Sequence, residues 1–465
     1  MNAQPADTAI AALGHAAAQL RIETLPEEVA RRARQRVVDT LACLVAGYEA
    51  GIAGAVRHYV LAQGGAPEAT LLPGGQRTTV ALACLAHATY IHGLELSDAA
   101  PRATAHPGNE IVPTALALAE REGLTGRTVL PAVAAGYEVE IRIGRALFPS
   151  AFYRGWWLPG FLGPIGAAVT AAHLLGLDGP GIADALGIAL NLLPTAMARA
   201  TRKGIGAKWL VGGHAAATGV LAAEMAARGT DGMREIVADW LPVITDDVHP
   251  DRLTEGLAAD GTFAQWELLS GVLTKYYATV GPLAASLDAT FELVEAHDVR
   301  ATDVTAIEVD CPKRTALFNA VHPENETAAR ASLPYCVAVA VLTRDRGRLL
   351  GPAFTPAALA DPDVAALAEK VRISENADYE RQYPARSLAQ VTLRLRDGRA
   401  HSLEVDRSAR TRYLEPTDDD IAEKFRLVAA PVLGPERGER ALNLAWRLEE
   451  EADLRPLIDA LRVEA

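Results

Sequence analysis

QVTLRLRDGRAHSLEV, residues 390–405, separates a purely helical interpretation of this chain from a mixed one. Val391, Leu393 and Leu395 alternate with polar residues, the period-two pattern of a strand with one buried face. Asp397-Gly398 follows where a tight primed turn needs positive φ. The spacing predicts a β-hairpin. A second alternation, VTAIEVDC at 304–311, places Ile307, Val309 and Cys311 on one face. Helical patterns at about 281–297, 327–343 and 355–370 lie between the strands. Residues 269–405 are therefore expected to form a small α+β lobe.

Upstream of that lobe the period changes. TLPEEVARRARQRVVDTLACLVAG (24–47) predicts a helix with Thr24 as N-cap, Pro26 in its first turn and Glu27 at the capping-box position. Val29, Val37, Leu41 and Leu44 recur at mostly helical spacing. Further helices are expected at about 78–93, 110–122, 127–147, 163–175, 180–192, 211–227 and 232–239, punctuated by Gly and Pro. No strand alternation competes there. After 415, TDDDIAEKFRLVAA and a last charged amphipathic helix are expected to return to the helical body. The fold class this predicts is mainly α. A large all-helical domain spans 1–268, with 406–465 returning to it, and the smaller α+β lobe spans 269–405.

The bulk numbers limit the partners. The chain has 465 residues and a net charge of −13, with half its residues apolar. No basic stripe or basic-aromatic interleaving is present, so nucleic acid is not an expected partner. Apolar runs break before the ~18–20 residues of a membrane span, and no signal peptide is expected before Thr8. The four cysteines, Cys43, Cys84, Cys311 and Cys336, form no CxxC and fit small core residues in a reduced, cytoplasmic compartment. No dinucleotide fingerprint, Walker loop, HExxH or GxSxG elbow occurs, so neither an organic cofactor nor a metal is expected.

Arginine is the default cation. Of 45 basic residues only six are lysine: Lys203, Lys208, Lys275, Lys313, Lys370 and Lys424. An ammonium differs from a guanidinium in size, geometry and ability to titrate, so each lysine draws attention. A second oddity is LELSDAAPRATAHPGNE (94–110), a polar segment carrying Glu95, Asp98 and His106 between two strongly apolar helical patterns. Charges in such a place are costly to bury unless paired.

The polar junctions, taken together, resemble the MmgE/PrpD family. The resemblance rests on HGLELSD then HPGNEIVPTALALAE, on GYEVEIRIGRAL (136–147), and on AKWLVGGHAAATGVLAAEMAARG from 207. SLPYCVA (332–338) and RYLEPTDDDIAEKF (412–425) extend it over nearly the whole chain. Members of that family include 2-methylcitrate dehydratase, cis-aconitate decarboxylase and iminodisuccinate epimerase. The resemblance implies a mainly helical domain plus a small α+β lobe, a homodimer, and chemistry without metal or organic cofactor. A proton is removed from, or returned to, a carbon beside a carboxylate.

Residue by residue, the resemblance assigns His106 as general acid/base, Lys208 and Lys275 as carboxylate-binding lysines, and Tyr335 as a hydroxyl reaching the site. Asp98 matches the last acid of the family's LDFDD pattern, and Glu95 takes the place of its first. The chain departs from the family at GWWLPG, where Trp157 replaces a pocket histidine, and at Val280, where Cys or His is common. These changes fit a substrate with fewer carboxylates and an apolar part, beside Trp156, Trp157, Tyr276 or Tyr277. Arg202 and His214 are candidates for compensating charge.

The expected function is a lyase, most simply a hydro-lyase on a small hydroxy-carboxylate. An epimerase, a decarboxylase and a non-catalytic binding protein are the alternatives.

Overall fold

The Ala207–Ala227 helix lies at the centre of the helical part. It packs against the helices Leu158–Leu174, Val80–Leu94, Gly179–Asn191 and Gly108–Glu122. Such crowding needs small residues at the crossings. At Gly219 an added Cβ would meet the Ala167 Cβ at 2.4 Å and the Pro164 carbonyl oxygen at 2.8 Å. The helices Glu27–Ala46 and Gly126–Leu147 complete the layer, and their buried faces merge into one core. The computed structural model describes residues 5–193 and 197–463. Among them, Ala207–Ala227 is the one single helix long and apolar enough to cross a membrane, and half of it is buried among other helices.

The α+β lobe holds a four-stranded sheet in the order β4-β3-β5-β6. Its strands are β3 (Val304–Cys311), β4 (Val371–Glu375), β5 (Leu388–Leu395) and β6 (Ala400–Asp406), numbered after a small hairpin of β1 (Ala69–Leu71) and β2 (Gln76–Thr78). β3 pairs parallel with β4 and antiparallel with β5, which pairs antiparallel with β6. Gly398 turns the β5-β6 hairpin at φ 87, a conformation the Asp-Gly step supplies without Cβ strain. Ile307, Val309, Cys311, Val391 and Leu393 are buried, and the Ala284–Ala296 helix packs on β5 and β6. Burying each of those aliphatic side chains is worth about 1.5–3 kcal/mol. The opposite face carries an exposed ion pair, Glu308–Arg394. Since β3, β4 and β6 run the same way, their C-terminal ends and the start of β5 share one end of the sheet.

The tail docks on the helical part. The Asp418–Val428 helix opens with a capping box from Thr417 and Asp420 and packs on Glu27–Ala46. Gln35 donates to Asp418 at 2.6 Å, and the buried Lys424 ammonium pairs with Asp39 at 2.5 Å.

Several local expectations are corrected. Thr24 is not the N-cap: its hydroxyl exchanges hydrogen bonds with the Arg21 backbone, and the helix starts after Pro26 without a side-chain cap. The β1-β2 hairpin interrupts the helical part near Gly74-Gly75. The helix expected over 327–343 splits into Glu326–Arg330 and Leu333–Thr343, because Ser332 caps a new start with Pro334 in its first turn. An N-terminal helix, Pro5–Ala18, is added.

Candidate active site

The Val80–Leu94 helix ends at Glu95, whose backbone is left-handed at φ 56 and returns its N–H to the His92 carbonyl. That conformation costs a non-glycine residue about 1–2 kcal/mol. Two buried cations hold the chain there. Arg330 donates to the carbonyls of Leu94 and Ala278, each at 2.9 Å, and Lys424 donates to the Leu96 carbonyl at 2.8 Å. Ala99 and Leu273 exchange two backbone hydrogen bonds, which brings the segment carrying Lys275 alongside.

The Glu95 carboxylate is buried and meets both lysines. Lys208, in the first turn of the central helix, pairs with one oxygen, and Lys275 lies 3.3 Å from the other. The Lys208 ammonium also sits over the rings of Trp209 (4.3 Å) and Trp157 (5.0 Å). Two cations thus face one anion. Burial, then Lys275 and Arg330, pushes Lys208 well below the usual lysine range. Burial, then Lys424, lowers Lys275 to about 7.

Asp98 organises the histidine. Its carboxylate accepts from the Gly108 N–H at 3.1 Å and the Tyr137 hydroxyl at 2.6 Å. Burial raises its pKa, opposed by Arg36 and Tyr137. Its backbone carbonyl lies 2.7 Å from His106 Nδ1. A carbonyl only accepts, so Nδ1 carries the proton and Nε2 keeps a free lone pair. Burial, then Lys275, lowers His106 to about 4, so the ring is neutral near pH 7 and can take a proton.

Glu95 and His106 open on a cavity between the helical part and the sheet, with Lys208, Lys275 and Asp98 packed behind them. Glu95, His106 and Trp157 line it from the helical part. Arg314, Ser387 and Arg407 line it from the shared end of the sheet. Val280 and Phe152 add apolar wall. Among the described residues no group of three His, Cys, Asp or Glu side chains could hold a metal ion.

The structure thus brings Glu95, Asp98, His106, Trp157, Lys208 and Lys275 together. Other candidates lie elsewhere. The Tyr335 hydroxyl donates to the Ala353 carbonyl, and its ring packs on Phe354 outside the cavity lining. Tyr276 donates to the Arg412 carbonyl and packs edge-on against Tyr413. Tyr277 donates to Asp288, and Trp156 donates to the Ile244 carbonyl. His214 is exposed beside Thr218. The Arg202 side chain lies outside the described residues.

Three contributors escape the sequence. His92 is buried 6.0 Å from the His106 ring and stacks on Trp157, with neither ring nitrogen hydrogen-bonded. Arg314 and Arg407 hide among 39 arginines. Their signal is positional, since each follows the C-terminal end of a strand.

The chain compares with known proteins along nearly its whole length. Residues 11–241 match the MmgE/PrpD N-terminal domain and residues 277–450 the MmgE/PrpD C-terminal domain. A cis-aconitate decarboxylase of Aspergillus terreus is 24% identical, with 96% of this chain and 94% of the relative covered. A cis-aconitate decarboxylase of Homo sapiens is 25% identical, covering 95% and 92%. That of Mus musculus is 22% identical, covering 95% and 91%. With both family domains matched in order, the chain belongs to the MmgE/PrpD family.

Proposed function

We propose that this protein is a lyase acting on a small carboxylate by proton transfer at a carbon next to that carboxylate. The carrying observation is His106, neutral, oriented through Asp98 and set in the same cavity wall as Glu95, whose carboxylate holds the two lysines. Family membership and the named relatives support lyase chemistry.

The lead mechanism is dehydration. A substrate carboxylate binds beside the cluster in which Lys208 and Lys275 share the single Glu95 carboxylate. His106 Nε2 removes the proton beside it, and the electron pair spreads into the carboxylate as an enolate-like anion. Lys275 in its protonated form stabilises that charge. The pair then returns to form the double bond as the β C–O bond breaks. Lys275, lowered to about 7, gives the departing hydroxide a proton near neutrality.

A second reading is decarboxylation. The apolar wall of Phe152, Trp157 and Val280 favours neutral CO₂ over a carboxylate, and the relatives above carry that activity. Incubation in D₂O with hydroxy- and unsaturated di- and tricarboxylates, followed by proton NMR, separates the two. A new vinyl signal marks dehydration; CO₂ release with deuterium gained at carbon marks decarboxylation. α-Deuteration with inversion would replace both by epimerisation, and no exchange on any substrate would remove the lyase reading.

A homodimer is part of the same proposal. Leu210 and Leu221 are 40% and 47% exposed on one face of the central helix. A second copy would cover this apolar face. Sedimentation of Leu221→Glu as a monomer, beside a dimeric parent, is the expected result.

A further inference from the structure

The mechanism above uses only one wall of the cavity. The wall opposite contains two buried guanidinium groups. Arg314 is 6% exposed, and its Nε and Nη1 are buried without a hydrogen-bond partner. Its guanidinium lies 3.9 Å from the Tyr383 ring centre and 4.7 Å from that of Phe152. The Glu380 carboxylate accepts from the Arg314 backbone N–H and the Tyr153 hydroxyl, and among the described residues the Arg314 guanidinium forms no ion pair. Arg407 is also 6% exposed. Its Nη1 donates to the Gly281 carbonyl at 3.0 Å, while its Nε is buried and unpartnered.

Buried charge without a counter-ion is unfavourable. Facing rings offset part of that cost for Arg314, but ring faces do not use the N–H groups in the guanidinium plane. Those donors match a carboxylate, which accepts two parallel hydrogen bonds from a guanidinium fork. Position strengthens the argument. Arg314 follows the end of β3 and Arg407 the end of β6, so parallel strand directions deliver both to one end of the sheet. His106 and Glu95 line the cavity from the other side.

We propose that Arg314, with Arg407, binds a second carboxylate of the substrate, distal to the reacting carbon. The substrate class is then a dicarboxylate with an apolar body. One carboxylate lies on the His106 side, beside the Glu95–lysine cluster, the body passes Trp157 and Phe152, and the other carboxylate reaches the arginines. This deepens the lyase reading and rests on it for the near carboxylate, but its test reads binding alone.

The test uses the full chain carrying His106→Gln, which separates binding from turnover. Calorimetric affinities are measured for citraconate, a small cis-dicarboxylate, and for its two monomethyl esters. The expected result is a loss of roughly 10- to 100-fold for the ester that blocks the distal carboxylate. Adding Arg314→Lys should remove most of that preference while leaving that ester's own affinity unchanged. Arg407→Lys should do the same to a smaller degree, so the proposal stays testable if one variant does not fold. Parallel weakening of diacid and esters in a folded variant overturns it. So does equal binding of diacid and esters, or no binding at millimolar concentration. A selective clamp in a protein that exchanges no substrate proton would sink the lyase reading alone. Proton exchange with binding indifferent to Arg314 would sink the clamp alone.

Discussion

His106 donates its Nδ1–H to the backbone carbonyl of Asp98, 2.7 Å away. The partner is a main-chain oxygen, so the tautomer does not depend on the ionisation of the Asp98 side chain. That side chain instead holds Tyr137 and the start of the Gly108–Glu122 helix. The base and its support are therefore one short loop, closed on itself by the Ala100–Ala105 bridge.

Replacing His106 by Gln removes the basic nitrogen but keeps a side chain of similar reach. Turnover should fall by roughly 10²–10⁴-fold, with an unchanged circular dichroism spectrum. Deuterium exchange into substrate, followed by NMR, is the measurement. Full exchange in the variant would remove His106 from the mechanism.

The pH profile should be bell-shaped. His106, lowered to about 4, becomes a competent base as pH rises through that value. Lys275, lowered to about 7, loses its proton as pH rises through 7, and with it the charge that holds carboxylate. kcat/KM should climb between about 4 and 5 and decline above about 7. Lys275→Arg, which stays charged, should extend the plateau upward. An alkaline limb that does not move in that variant belongs to another group.

Lys424→Met leaves Asp39 buried without its cation and frees the Leu96 carbonyl. Breaking one side of a buried pair costs about 3–5 kcal/mol. Urea unfolding should show a loss of that size. Because Leu96 adjoins Glu95, kcat/KM should fall as well, even at temperatures where the variant is fully folded.

Gly219→Ala forces the central helix away from Leu158–Leu174, since the new Cβ overlaps backbone atoms of residues 164 and 168. Overpacking of this kind costs about 1–3 kcal/mol. The melting temperature should drop while KM stays nearly constant, because Lys208 lies three turns away on the same helix. Unaltered stability would mean that the two helices part more easily than their packing implies.

What could be read from the chain follows from the range of the forces involved. The Asp397-Gly398 hairpin and the alternation at 304–311 are local signals, and both strands form. β4 gave little signal, because its residues are mostly exposed and its parallel pairing with β3 joins residues 64 apart in the chain. The Pro5–Ala18 helix presents chiefly alanine, a weak amphipathic marker. In the site, the scarcity of lysine drew attention to six ammonium groups, and the family motifs singled out Lys208 and Lys275. The same reasoning hid Arg314 and Arg407, whose surroundings depend on how the sheet end meets the helical part. The family motif at 332–338 marked Tyr335, but a helix turn directs its hydroxyl to Ala353.

The cations that hold the loop around Glu95 come from far along the chain. Arg330 binds Leu94 across 236 residues, and Lys424 binds Leu96 across 328. A ribosome releasing the helical part first would present Glu95, Asp98 and His106 long before their clamps emerge. The strained turn at Glu95 then has nothing to hold it. Catalytic competence is thus deferred to the end of synthesis, and a prematurely terminated chain would be an inert one.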